Sequence, residues 1–104
     1  TGGFNVFSAE VEAAINAHPG VENCAVIGTP DSKWGEAVTA IVVLRPGQTL
    51  APEALIEFAK ERLGSVKAPK KVEIWPDLPR SPVGKVLKTE IRKKFWADAE
   101  RAVN

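Results

Sequence analysis

The run Ala37-Val38-Thr39-Ala40-Ile41-Val42-Val43-Leu44 limits the fold more than any other stretch of this sequence. Five of its eight residues are β-branched, and such side chains suit a pleated sheet better than the crowded flank of a helix. Turn-forming residues stand after it, at Arg45-Pro46-Gly47-Gln48, and the polar segment SKWGEA before it reads as a loop. Residues 37–44 therefore read as a strand. Residues 22–28, which end in an apolar stretch before a turn expected at Pro30-Asp31, read as a second strand and KKVEIW (70–75) as a short third. A sheet this small is marginal in water unless helices pack against it.

Three segments supply those helices. Ser8 stands before AEVEAAINAH and can cap a helix start, with Glu10 in its first turn. Val11, Ala14, Ile15 and His18 then fall on one face, and Pro19-Gly20 ends the segment. Pro52 fits the first position of a second helix, with Leu55, Ile56, Ala59 and Leu63 as its apolar face and Gly64 as its stop. Leu87, Ile91 and Phe95 mark a last helix within residues 86–102, whose final turns are expected to fray. Before it, Pro76, Pro79 and Pro82 rule out a regular helix or a central strand. The order α, β, β, α, β, proline-rich loop, α predicts a small two-layer α+β domain, three helices packed on a small β-sheet.

At 104 residues the chain suits one domain, and 44% hydrophobic with 26% charged residues excludes a disordered chain. No apolar run approaches the roughly 20 residues that span a bilayer, and TGGFNVF lacks the basic and apolar regions of a signal peptide. The lone Cys24 reads as a buried core thiol and cannot form an intrachain disulfide. The lone His18 reads as a helix-terminal residue, and no metal-ligand spacing exists, so no bound metal is expected. With one His and no Met the chain reads as cytoplasmic, and the missing initiator Met points to a fragment or a processed chain. Charge is unevenly spread. Residues 1–52 hold two basic and five acidic side chains, whereas residues 66–94 hold nine basic and three acidic ones. That field could attract an anion with several phosphates, and it fits a solvated, lysine-rich surface as well. Nucleic acid is not expected, because the chain lacks a glycine-rich KH loop and paired RNP aromatics.

Two loops offer chemistry. Gly2 and Gly3 allow a sharp bend and close approach to a ligand, with Asn5 as a hydrogen-bonding anchor. They fit a flexible entry segment equally well. In Leu78-Pro79-Arg80-Ser81-Pro82-Val83-Gly84-Lys85, the prolines stiffen the approach and Gly84 turns it, so Lys85 stands at a tip. A lysine there can reach a phosphate as a mobile point charge, though surface lysines are common at β-turns.

Taken in order, GGFNVFSAEVEAAINAHPGV, AVIGTPDSKWGEAVTAIVVL and LPRSPVGKVLKTEIRK resemble three blocks of the C-terminal domain of the adenylate-forming, AMP-binding enzymes, closest in look to fatty-acyl and other acyl-CoA synthetases. The resemblance covers about residues 2–96, giving a domain over 1–96 and a helix end or frayed tail over 97–104. It implies an acid–thiol ligase. A carboxylate, expected to be a fatty acid, attacks ATP to give an acyl-adenylate and pyrophosphate, and coenzyme A then gives the thioester and AMP. The resemblance implies a much larger N-terminal domain, absent here, that holds the nucleotide, Mg2+ and acyl group. It also implies that this chain alone is inactive and that its partner is that domain. Lys85 matches the catalytic lysine of adenylation. Gly2, Gly3, Phe4 and Asn5 match the thioester-forming loop along the pantetheine channel, and Trp34, Gly35 and Glu36 a block beside that channel or the domain interface. Lys67 and Lys70 match the place where some relatives hold the coenzyme A phosphates. Val66 and Ala68 replace the aromatic and arginine of relatives with a well-described nucleotide site. Alternatives are an adenylation domain that loads a carrier-protein thiol and a non-catalytic binding module of the same fold.

Overall fold

A computed structural model describes the backbone of residues 2–32 and 35–103 and the side chains of residues 8–32 and 35–97. The elements are α1 (Gly2–Asn16), β1 (Val21–Asp31), β2 (Gly35–Leu44), α2 (Pro52–Leu63), β3 (Lys71–Ile74) and α3 (Lys88–Val103). The strands form one mixed sheet in the order β1-β2-β3. β1 and β2 are an antiparallel hairpin from Val21↔Leu44 to Asp31↔Gly35. β3 runs parallel to β2, from Thr39↔Lys71 to Val42↔Ile74, and α2 makes the crossover that a parallel pair requires.

The α+β class and its three helices on a small sheet hold, but the layering differs from the expectation. Both faces of the sheet are covered. On one face Cys24, Val26, Ala40, Val42 and Val72 pack with Val11 and Ile15 of α1 and Leu55 and Ala59 of α2. On the other, Ala25, Ile27, Ile41 and Val43 pack with Leu78 and with Ile91 of α3. The expected two layers are therefore three, with two cores on opposite sides of β1 and β2. This is why the run 37–44 is apolar at consecutive rather than alternate positions. Its one polar member, Thr39, is buried and bonds hydroxyl to hydroxyl with Thr29 at 2.7 Å.

Element ends follow local chemistry. α2 begins with Pro52 after an extended Ala51, and stops at Gly64, whose φ of 85° an L side chain rarely adopts. Its N–H still donates to the Lys60 carbonyl. The first helix does not begin at Ser8. α1 extends N-terminally to Gly2, Ser8 lies inside it and is buried, and Glu10 is not in the first turn. Nothing between Phe4 and Asn16 is glycine or proline, so the helix has no internal break. β1 is longer than 22–28 and passes through Pro30, while Gly35 and Glu36 belong to β2 rather than to a loop.

β1 is an edge strand, yet its outer side is closed by side chains. Cys24 N–H donates to Asn23 Oδ1 (2.9 Å) and Val26 N–H to Glu12 Oε2 (2.7 Å). The Gly28 carbonyl accepts from Trp96 Nε1 (2.9 Å) and from Arg92 (3.1 Å) of α3. Pro30 continues this outward register, so its missing N–H costs no ladder bond. Glu12 also pairs with Lys88, the first residue of α3, at 2.7 Å. Thus α1 and α3, on opposite faces, meet around this edge.

Candidate functional site

The loop before α3 is built to present Lys85. Its entry is fixed by Asp77, whose Oδ1 accepts from Leu78 N–H (2.9 Å) and from Arg80 (2.8 Å). The Leu78 bond first, and then Arg80, hold the exposed Asp77 carboxyl below the usual carboxylate range. The Leu78 side chain is buried against the α3 face of the sheet. Leu87 N–H donates to the Pro79 carbonyl (2.9 Å), and Arg80 and Val86 form an antiparallel bridge. Inside that bridge Ser81 organises the turn. Its N–H donates to the Lys85 carbonyl (2.8 Å), its carbonyl accepts from Gly84 N–H (2.8 Å), and its Oγ accepts from Lys85 N–H (3.2 Å). Gly84 closes the turn with φ of 89°. Pro79 and Pro82 lie within this stretch and fix φ there, and Pro76 stands just before it.

The tip is left bare. Val83 is 90% exposed and Lys85 is exposed. Among the described residues no acidic side chain pairs with the Lys85 ammonium. Lys85, Val86, Leu87, Lys88 and Thr89 line an open groove of about 350 Å³. A cation on a rigid turn, free of a partner and beside a groove, can meet an anion without first breaking an ion pair.

The other predicted residues lie elsewhere. Gly35 opens β2 opposite Asp31. Glu36 follows it, and its Oε2 is 3.5 Å from Arg92. A Cβ at Gly28 would collide with the Glu36 carboxyl group, so that carboxylate lies over the glycine. Lys67 is paired with Glu10 (3.2 Å) of α1. Lys70 is exposed, its N–H donates to the Val38 carbonyl (2.9 Å), and among the described residues its ammonium has no acidic partner. Lys71 pairs with Asp31 (3.6 Å), which ties the chain after α2 to the tip of the β1–β2 hairpin. Gly35, Glu36 and Lys70 therefore gather toward one end of the sheet, and no hydrogen bond or ion pair among the described residues joins them to Lys85. Trp34 and the side chains of Gly2, Gly3, Phe4 and Asn5 lie outside the described residues. The backbone of residues 2–5 belongs to α1, where a loop was expected.

Cys24 is buried, with its Sγ 3.7 Å from the Glu12 carbonyl oxygen. Burial, and then the Glu12 carboxylate, push its thiol up to about 12, with Lys88 opposing. It is a protonated core thiol and not a nucleophile. His18 stands just past α1, where its Nδ1 accepts from Gly20 N–H (3.0 Å) and its ring meets Phe58 edge-on. No group of three His, Cys, Asp or Glu side chains among the described residues could hold a metal ion. Sequence reasoning missed Ser81, Glu12, Lys88, Arg92 and Trp96. Ser81 could be found from its place four residues before Lys85, but Glu12 lies too far along the chain to be matched with Lys88.

Fold and loop together define a small α+β module that carries an unpaired lysine on a proline-stiffened turn. The profile of the AMP-binding enzyme C-terminal domain matches residues 10–85. The chain is 45% identical over 102 residues to a fatty acid–acyl-carrier-protein ligase of Streptomyces coeruleorubidus, covering 98% of this chain and 20% of that protein. It is 48% identical over 110 residues to a medium/long-chain-fatty-acid–CoA ligase of Mycobacterium tuberculosis, covering 99% and 19%. The crystal structure of ATP-bound MatB from Rhodopseudomonas palustris superposes with a TM-score of 0.79 at 40% identity, over 85% of this chain and 18% of that one. This chain belongs to the AMP-binding enzyme C-terminal domain family, and it spans about a fifth of the length of these relatives. Among the described residues no helix is long and apolar enough to cross a membrane.

Proposed function

We propose that this domain supplies the adenylation lysine of an ATP-dependent acid–thiol ligase. The observation that carries the reading is the exposed, unpaired Lys85 ammonium on its hydrogen-bonded turn. In the first half-reaction a carboxylate oxygen attacks the α-phosphorus of ATP, and the bond to pyrophosphate breaks. Lys85 binds the carboxylate and α-phosphate oxygens while charge builds on them, which lowers the barrier. In the second, a thiol attacks the acyl carbon and AMP leaves. Gly2, Gly3, Phe4 and Asn5, with Trp34, Gly35 and Glu36, border the thiol's path in this reading. Lys70, whose ammonium is free, meets the coenzyme A phosphates more readily than Lys67, which Glu10 already holds. ATP, Mg2+ and the acyl group belong to a larger body of the enzyme, which this domain of residues 1–96 serves from outside. The substrate class is fatty acids, in the cytoplasm. Coenzyme A is the acceptor of first choice. A carrier-protein thiol is the second, because one relative at 45% identity is named for it.

The test is Lys85→Ala in the whole enzyme. Pyrophosphate exchange should fall by at least about a hundredfold, equivalent to ~3 kcal/mol. Thioester formation from preformed acyl-adenylate should persist. Exchange at the unchanged rate would remove Lys85 from the chemistry.

A further inference from the structure

We propose that Lys88, held by Glu12, is a positioning residue that sets where Lys85 stands. The inference rests on the adenylation role of Lys85 and adds a second element to it. Hydrogen bonds within 77–87 fix the shape of the turn but not its place on the domain. That place is set on the entry side by Leu78, buried on the α3 face with Val86 packed beside it, and on the exit side by the helix into which the turn runs. Lys88 opens α3 three residues after Lys85, and both line the same groove. Its Nζ meets Glu12 Oε2 at 2.7 Å, and the same oxygen accepts Val26 N–H at 2.7 Å. One carboxylate oxygen thus joins α1, the edge of β1 and the first residue of α3.

The pair differs from its neighbours. Lys60–Glu57 and Lys93–Glu90 each lie within one helix and tie nothing together. Among the described residues, Lys88–Glu12 is the ion pair that links α1 and α3 across the sheet edge, and Glu12 is only 21% exposed in its side chain. Other anchors lie further on, where Leu78 and Ile91 are buried on the α3 face and Arg92 and Trp96 donate to the Gly28 carbonyl. Those contacts hold the body of α3 to the sheet, whereas the charge-assisted Lys88 contact acts on its first residue, next to the turn. The pairing also occupies the Lys88 charge. Without Glu12, a second free ammonium would stand three residues from Lys85 and compete for the same anion. Small displacements of a group that meets a reacting centre cost rate steeply.

The experiment uses the whole enzyme and measures the two half-reactions separately on one preparation of each variant. Lys88→Met keeps the stem and removes the charge. Glu12→Gln keeps an acceptor for Val26 N–H and removes the charge complement. Each should slow adenylation by about tenfold or more, seen in kcat rather than in the KM for ATP, and leave thioester formation from preformed acyl-adenylate unchanged. Lys88→Arg, which preserves the charge, should restore adenylation. A wild-type adenylation rate in Lys88→Met, or equal losses in both half-reactions that track a fall in folded protein, overturns the positioning role. Loss in Lys88→Met with none in Glu12→Gln also overturns it, because Lys88 would then act on the substrate itself. Lys85→Ala run alongside separates the two ideas. Adenylation that survives it removes the proposed function, whereas adenylation lost there and kept in Lys88→Met removes the positioning role alone.

Discussion

Raising the pH past the ordinary range of a thiol should destabilise this domain through Cys24. In the unfolded chain the thiol titrates near 9.0, and in the fold burial and the Glu12 carboxylate move it to about 12. Between those values the unfolded state has released a proton that the folded state still holds, so stability falls as pH rises. Going from about pH 8 to about pH 10.5, one such group removes ~2 kcal/mol. With a urea slope of roughly 1–3 kcal/mol/M for small domains, the unfolding midpoint falls by about 0.7–2 M. Lysines titrate over part of the same range, so the measurement is a difference. Urea unfolding at a series of pH values is compared with that of Cys24→Ala, which lacks the thiol. The wild-type midpoint should fall more steeply, and thiolate absorbance in the ultraviolet should appear only with unfolding. Parallel pH dependences in the two proteins, or thiolate in the folded wild type near pH 10.5, would refute the burial argument.

Ile91→Ala should cost about 2–5 kcal/mol, because Ile91 is fully buried at the centre of the α3 face and its removal leaves a cavity. The thermal midpoint checks this, and a drop of only a few degrees would show that α3 is a loose cover. Gly84→Ala places a Cβ in open space but at φ of 89°, so its cost of ~1–2 kcal/mol is backbone strain alone. In the whole enzyme it should slow adenylation with Lys85 still present, and a wild-type rate would show that the turn needs no left-handed residue.

Much of this was readable from residues. The β-branched run 37–44, the Pro52 and Gly64 bounds of α2 and the apolar face Leu87, Ile91, Phe95 placed three elements, and the proline-rich run placed Lys85 on a turn. The burial of Cys24 and the helix-end position of His18 were also legible. The misreadings have physical causes. Pro30 looks like a strand breaker until its position on the outer side of an edge strand is known. Ser8 looks like a cap because its side chain suits a helix start, and a buried serine inside a helix leaves the same letter in the sequence. The apolar run over 40–44 in β2 already carried the sign of burial on both faces, but a short apolar run reads as a strand whether one or two faces are covered. The Glu12–Lys88 contact joins residues 76 positions apart, a separation no local pattern records.

The closing of the β1 edge has a consequence for the order in which a growing chain becomes safe. Residues 21–44 leave the ribosome as a complete hairpin, and α1 is already made and can seat Glu12 on Val26 at once. The other half of the work waits. Ala25, Ile27, Ile41 and Val43 stay uncovered until Leu78 and then Ile91 emerge, and the Gly28 carbonyl stays open until Arg92 and Trp96 emerge more than forty residues after the hairpin ends. During that interval the hairpin offers a bare apolar face beside an unsaturated strand, the combination most prone to pair with another chain. Synthesis of α3 therefore ends the period of exposure, and the helix into which the Lys85 turn runs is also the one that completes the fold.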